Sequence, residues 1–284
     1  MLKQQIGGAI RLFRPELPTA AGVCVVIGEI LALGTLPPLP TLVLGFLCVF
    51  LLSGSALITN DYFDLEVDKI NAPQRPLPSG AVSPRTVMIL GILTALIGLL
   101  AALSISPLAF VFSLIIWVMG FLYNWRLKAA GIWGNLIVSA SVAATFVLGG
   151  LAVGQVWHRT VWVFGLIVFF FDLAEEIAGD AMDAEGDRQR ASKSIAIMYG
   201  KPTALRLSGL LFGLVIALTL LLIAWGDASL RYWLILPLMD VTILYFVGKL
   251  LRSQTSAEGR QSMRGLYLSA SLGLVAFLIS LFFA

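Results

Sequence analysis

Asn60–Ser79, NDYFDLEVDKINAPQRPLPS, closes a long apolar run and sets Asp61, Asp64, Glu66 and Asp68 close together. Gly179–Arg188 then reads GDAMDAEGDR, so that Asp61, Asp64, Glu66, Asp68 and Lys69 recur 119 residues later as Asp180, Asp183, Glu185, Asp187 and Arg188. On a helix Asp61, Asp64 and Asp68 fall at i, i+3 and i+7 and share one face, and Asp180, Asp183 and Asp187 have the same phase. Asn60 adds an amide oxygen one turn before Asp64, while Glu66 and Glu185 point off that face toward neighbouring cations or water. Carboxylates grouped on one face repel one another unless something cationic neutralises them. Oxygen donors with no His or Cys nearby select Mg²⁺ over zinc. Asn60, Asp64, Asp68, Asp180, Asp183 and Asp187 are therefore the candidate Mg²⁺ ligands, in two half-sites expected to face each other. One such stretch would pass for a solvated acidic loop, but two matching copies beside long apolar runs point to a site.

Working outward, the rest of the chain is apolar. Of its 284 residues, 59% are hydrophobic and only 12% charged, against about 25% charged in soluble domains. The mean hydropathy of +0.94 places the chain inside a bilayer. A helix needs about 20 apolar residues to cross, and nine stretches qualify: roughly 17–36, 40–60, 86–104, 107–124, 132–154, 160–180, 203–224, 230–250 and 265–284. Pro37, Pro40, Pro84, Pro107 and Pro202 fall in the breaks, where a missing N–H costs least. The break at Ser104–Pro107 is the shortest, and eight spans is the alternative count. Cys24 and Cys48 lie in apolar runs without metal-type spacing, so no disulfide and no zinc site is expected.

Numbering the connections alternately puts 17 of the 19 Lys and Arg residues on one side, leaving Arg159 and Arg231 opposite. The positive-inside rule makes that side cytoplasmic, with the N-terminus inside. Both acidic stretches then lie on the cytoplasmic side, after the second and sixth spans. Four spans separate them, so the halves repeat in parallel orientation about an axis along the membrane normal. The expected fold is an all-α integral membrane protein of nine transmembrane helices in a bundle with two pseudo-repeated halves, forming one domain over 1–284. Met1–Arg14 lacks the apolar core and cleavage site of a signal peptide. Its Leu2, Ile6, Ile10 and Leu12/Phe13, with Lys3, Arg11 and Arg14 between them, predict an interfacial helix lying on the bilayer. The pI near 9.0 reflects these loop cations, and no nucleic-acid partner is expected.

Cations are interleaved with the acids. Lys69 and Arg75 lie in the connection of the first motif, Arg188, Arg190 and Lys193 in that of the second, and Arg126 and Lys128 in the connection between them on the same side. Aspartates with Lys and Arg suit a polyanion bridged by Mg²⁺, and diphosphate is the obvious candidate. Metal and cations would neutralise a leaving diphosphate as a carbon–oxygen bond ionises, and the apolar interior would hold a hydrocarbon tail. This describes transfer of a prenyl group from a polyprenyl diphosphate to a lipophilic acceptor inside a membrane. A secondary transporter would also explain a repeat with intramembrane acids, although such sites usually form at the midplane from broken helices. A CDP-alcohol phosphotransferase would open on Asp-Gly-x-x-Ala-Arg, which is absent.

The residues Asn60-Asp61-x-x-Asp64-x-x-x-Asp68 and Asp180-x-x-Asp183-x-x-x-Asp187 resemble the paired motifs of the UbiA-type intramembrane prenyltransferases, over essentially the whole chain. The resemblance implies a nine-helix bundle and two Mg²⁺ ions. It implies that Asn60, Asp64 and Asp68 hold one Mg²⁺–diphosphate unit and Asp183 with Asp187 the other, supported by Asp61 and Asp180. Asp64, Asp68, Asp183 and Asp187 are thus the candidate catalytic residues. Asn60, Asp61, Lys69, Arg75, Tyr123, Arg126, Lys128, Asp180, Arg188 and Lys193 are candidates for substrate binding. The runs DKINAPQRPLPSG, YNWRLKAAGIWGN and DAMDAEGDR are most similar to members that make archaeal ether lipids, and chlorophyll synthases share the first and last. The implied acceptor is geranylgeranylglyceryl phosphate, or an aromatic or chlorophyllide-type compound. Tyr123 is followed by Lys128 one residue later than in the family's Tyr-x-x-x-Lys element, leaving Arg126 or Lys128 to take that role. Where the lipid synthases read Arg-Glu-Ile-x-Lys-Asp, this chain has Glu175-Glu176-Ile177-Ala178-Gly179-Asp180. The implied location is the plasma (inner) membrane, with the site facing the cytoplasm.

Overall fold

Proline and serine set the helix starts in the apolar chain. In the computed structural model, which describes residues 11–187, 193–225 and 231–282, Ser83 caps a helix by accepting from the Thr86 N–H, with Pro84 at its first position. Ser106 is extended at φ −167° and caps the next helix through the Ala109 N–H, with Pro107 first. Pro is tolerated there because its missing N–H has no intrahelical partner. The short break at Ser104–Pro107 therefore separates two helices.

The helices in chain order are α1 (Glu16–Leu33), α2 (Leu39–Phe63), α3 (Leu65–Asn71), α4 (Pro84–Ile105), α5 (Pro107–Leu122), α6 (Ile132–Ala152), α7 (Arg159–Asp187), α8 (Ile195–Tyr199), α9 (Lys201–Trp225), α10 (Leu236–Leu251) and α11 (Ser256–Ser280). Single π turns, Tyr123–Leu127 and Arg231–Ile235, adjoin α5 and α10. Among the described residues eight helical segments are long and apolar enough to cross a membrane. The remaining long helix, α7, matches the stretch expected at 160–180 but carries Asp172, Glu175, Glu176 and Asp180. Leu and Ile stay exposed along the spans, as on α4 at Ile89, Leu93, Leu96 and Leu100, which suits an outer face solvated by lipid. The protein is an all-helical multi-pass membrane protein.

The chain divides into two compact units, 1–126 with 144–156 and 127–143 with 157–284. In the first, Val25, Cys48, Val49, Ala102, Ala109, Leu148 and Leu151 form a buried core. A Cβ at Gly28 would collide with the Phe146 carbonyl, and one at Gly149 with the Val25 carbonyl. Glycine at both places lets the backbones of α1 and the second part of α6 approach. In the second unit the Ser208 hydroxyl of α9 donates to the Ala174 carbonyl of α7 over 2.8 Å. Buried Thr219 of α9 likewise donates to Asp240 of α10 over 2.7 Å, satisfying one oxygen of a carboxyl that would otherwise be costly inside a span. Of the expected interfacial helix, residues 11–13 are helical and Arg14 turns the chain at φ 44°. Its remainder, including Leu2, Lys3, Ile6 and Ile10, lies outside the described residues.

Candidate active site

In the first unit the acidic motif straddles a helix break. α2 stops at Phe63, Asp64 takes φ −86° and ψ 3°, and α3 starts at Leu65. The Asp64 N–H still donates to the Asn60 carbonyl over 2.9 Å, and the Asp68 N–H to the Asp64 carbonyl over 2.8 Å. Helical phase thus survives the break. Asn60 Nδ2 donates to Asp64 Oδ2 over 3.1 Å. Asp61 and Asp68 are buried, and both meet arginine. Arg14 Nη2 donates to Asp61 Oδ1. Arg75 Nη1 donates to Asp68 Oδ2 over 2.5 Å and lies 3.8 Å from Asp61 Oδ1.

The apolar residues beside these arginines explain how they arrive. Leu12, Ile58, Leu77, Val82 and Val87 form a small buried cluster with Phe13, Tyr62, Leu65 and Leu90 packed on it. Leu12 and Phe13 anchor the chain just before Arg14, and Leu77 anchors the 72–83 loop two residues after Arg75. Burial works against the Arg75 charge, but its hydrogen bond to Asp68 and the charges of Asp68, Asp61 and Asp64 outweigh that and raise its pKa. An always-protonated guanidinium suits carboxylates that must not be left buried alone. On the outer side Lys69 Nζ reaches Glu66 Oε1 over 2.7 Å, both side chains being exposed. Glu66 thus lies off the aspartate face, and Lys69 pairs with it.

The π turn after α5 holds Tyr123 and Arg126. Asn124 Nδ2 fixes the turn to α2 by donating to the Ala56 carbonyl over 2.9 Å. The Arg126 guanidinium lies over the Trp125 ring, 4.5 Å from its centroid.

In the second unit the motif continues an unbroken α7. Asn135 Nδ2 of α6 donates to Asp180 Oδ2 over 2.9 Å, and Ser139 Oγ to Asp172 Oδ2 over 2.8 Å. Asn135 and Ser139 are i and i+4, so one face of α6 serves both. Arg260 Nη2 of α11 donates to exposed Asp183 Oδ1 over 2.5 Å. A Thr255–Glu258 capping box fixes the start of α11, and Ser256 Oγ donates to the Met182 carbonyl beside Asp183 over 3.0 Å. Gly131, at φ +62°, brings the 129–131 turn against the Lys193 carbonyl, where a Cβ would collide. The Lys193 N–H returns to the Ala129 carbonyl, so Lys193 lies beside the turn that follows Lys128. Asp187 ends α7, but its side chain lies outside the described residues, as does all of Arg188.

Sequence reasoning missed Arg14, Arg260 and Asn135 as partners of the motif. In the sequence Arg14 reads as part of an interfacial helix, Arg260 as positive-inside charge, and Asn135 only as the last residue of the YNWRLKAAGIWGN run. A polar amide in an apolar run is a signal that could have been read. Both halves offer oxygen donors. Among the described residues no three acidic, His or Cys side chains converge closely enough to enclose a metal ion by themselves.

An apolar helical protein with a duplicated aspartate motif and cations beside each copy defines a membrane enzyme acting on a lipid-borne polyanion. Comparison makes the class specific: residues 21–283 match the UbiA prenyltransferase family, and the chain belongs to it. It is a prenyltransferase. It is 35% identical over 271 residues to digeranylgeranylglyceryl phosphate synthase of Thermococcus kodakarensis, covering 95% of this chain and 96% of that one. It superposes at TM-score 0.86 and 25% identity, over 98% of each chain, on a structure described as giving insights into digeranylgeranylglyceryl phosphate synthase in membranes. A UbiA homolog from Archaeoglobus fulgidus bound to DMAPP and Mg²⁺ shares the fold at TM-score 0.73 and 19% identity, over 96% of this chain and 98% of that one.

Proposed function

We propose that the enzyme transfers a polyprenyl group, geranylgeranyl in the first instance, from its diphosphate to a lipophilic acceptor, with Mg²⁺ as cofactor. In this reading 1–284 is one intramembrane domain of nine spans with its N-terminus in the cytoplasm. Both motifs open on the cytoplasmic face of the plasma (inner) membrane. Asn60, Asp64 and Asp68 would hold one Mg²⁺, and Asp180, Asp183 and Asp187 the other. The donor chemistry fits this ion. Mg²⁺ binds through one or two carboxylates plus substrate phosphates and keeps several waters, so a few aspartate oxygens in each motif suffice for it. When bound, it would supply the charge that stabilises the departing diphosphate.

The chain's own residues do the rest. Arg75, bridging Asp61 and Asp68, keeps the first half assembled before substrate arrives. Arg126, Lys128, Lys193 and Arg188, with Lys69 and Tyr123, would orient the diphosphate. The apolar spans take the tail and exclude water from the reacting carbon. The acceptor oxygen bonds to C1 of the prenyl group as the C1–O bond to diphosphate breaks. The electron pair leaves with diphosphate, and the acceptor proton passes to water or to the released diphosphate. The glyceryl product named for the relatives makes a glycerol ether lipid the first acceptor class to try, ahead of aromatic or chlorophyllide-type compounds.

The observation that carries this reading is the duplicated Asp-x-x-Asp-x-x-x-Asp motif in a chain of the UbiA family. Its test is product analysis by mass spectrometry, with purified protein, geranylgeranyl diphosphate, Mg²⁺ and acceptors from these classes. Prenylated product and diphosphate should appear together and stop on chelation of the metal. Asp64→Ala or Asp183→Ala retaining full turnover would refute the assignment, since loss of one such charge-stabilising group is expected to cost about 10²–10³ in kcat.

A further inference from the structure

The start of α11 is built against the second motif. The Thr255–Glu258 capping box fixes its first turn, and Ser256 Oγ ties that turn to α7 by donating to the Met182 carbonyl over 3.0 Å. Gly259 is buried, and a Cβ there would collide with the Met182 sulfur. One turn on, the Met263 methyl lies against Gly179. These contacts lay α11 along α7 from Met182 to Gly179 and deliver Arg260 to Asp183, Nη2 to Oδ1 over 2.5 Å.

This pair differs from the arginine pairs of the first unit. Asp61 and Asp68 are buried, with Arg14 and Arg75 on them, and stripping the partner from such a charge is strongly destabilising. The Arg260 and Asp183 side chains are 54% and 50% exposed, so water replaces either partner at little cost. A guanidinium and a metal ion compete for the same carboxylate oxygens. Beside a diphosphate, a guanidinium that leaves its carboxylate is not stranded, because its fork of N–H donors fits phosphate oxygens as well.

We propose that Arg260 is a substrate-binding residue that works by exchange: it neutralises Asp183 before substrate binds, and passes to a phosphate oxygen of the prenyl diphosphate as Asp183 takes up Mg²⁺. The proposal rests on the prenyl-transfer reading above. No covalent bond changes in the exchange. Asp183 trades one cation for another, and Arg260 trades one anion for another.

The test is binding to the full-length protein in the absence of acceptor. Calorimetry reads geranylgeranyl diphosphate at saturating Mg²⁺, and the spin resonance of free Mn²⁺, which takes the same oxygen donors, reads metal binding without diphosphate. Arg260→Gln should weaken geranylgeranyl diphosphate about tenfold or more yet tighten Mn²⁺ several-fold, since Asp183 loses its competing cation. Arg260→Lys should fall between this variant and wild type. Arg252→Gln, the same loss of charge at the end of α10, should move neither affinity. A merely structural ion pair would weaken both ligands or neither. Unchanged diphosphate affinity in Arg260→Gln, Mn²⁺ held no tighter than by wild type, or equal shifts in Arg252→Gln would each overturn the proposal while leaving prenyl transfer standing. Failure of the wild-type protein to bind geranylgeranyl diphosphate at any Mg²⁺ concentration would overturn the prenyl-transfer reading beneath it.

Discussion

The two copies of the aspartate motif have the same spacing but are neutralised differently. In the first, the helix breaks at Asp64, and buried Asp61 and Asp68 are compensated by Arg14 and Arg75, which arrive from the chain before α1 and after α3. In the second, α7 runs unbroken through Asp187, Asp180 meets the Asn135 amide, and exposed Asp183 meets Arg260. A repeated sequence fixes which oxygens share a face. The segments outside the repeat decide how their charge is balanced. The first copy is locked by guanidinium groups, whereas the second adds acids that no cation among the described residues offsets.

The comparison predicts a graded series in thermal unfolding. Arg75→Ala should have the largest effect, because it strips the shared partner from two buried carboxylates, and removing one partner of such a pair costs about 3–5 kcal/mol. Arg75→Lys should recover only part of this, since an ammonium cannot reproduce the fork. Arg14→Ala should follow at about 3 kcal/mol, as Arg75 still faces Asp61. In the second unit Asn135→Ala should cost less, about 1–3 kcal/mol, from one lost hydrogen bond to Asp180. Arg260→Ala should cost about 1 kcal/mol or less, because both side chains are half-exposed. Smallest of all, Glu66→Ala should fall within about 0.5 kcal/mol of wild type. A larger loss for Asn135→Ala than for Arg75→Ala would reverse the comparison.

Much of this arrangement was legible in the sequence. Hydropathy gave the membrane class and, through Pro84 and Pro107, the places where helices begin. The repeat gave the aspartate face, and the phase argument set Glu66 off it, where it pairs with Lys69, a residue expected at the substrate. The partners were harder to read because they are distant in sequence. Arg14 and Asp61 are 47 residues apart, and Arg260 and Asp183 are 77 apart. Both contacts depend on turns and caps, such as the positive φ at Arg14 and the capping box at Thr255, that position a side chain only once the helices have packed. The break at Asp64 was also hidden, since nothing in Asn60–Asp68 is a strong helix breaker. Asn135 could have been found, because an amide among apolar neighbours needs a partner.

The most direct test of the proposed function, that each motif contributes to Mg²⁺-dependent binding of the prenyl diphosphate, is calorimetric binding of geranylgeranyl diphosphate in the presence and absence of Mg²⁺. It should be made on the wild-type protein and on Asp64→Ala and Asp183→Ala separately. Binding should require Mg²⁺ and weaken by about tenfold or more in each single variant. Wild-type affinity in either variant, or binding indifferent to Mg²⁺, would contradict it.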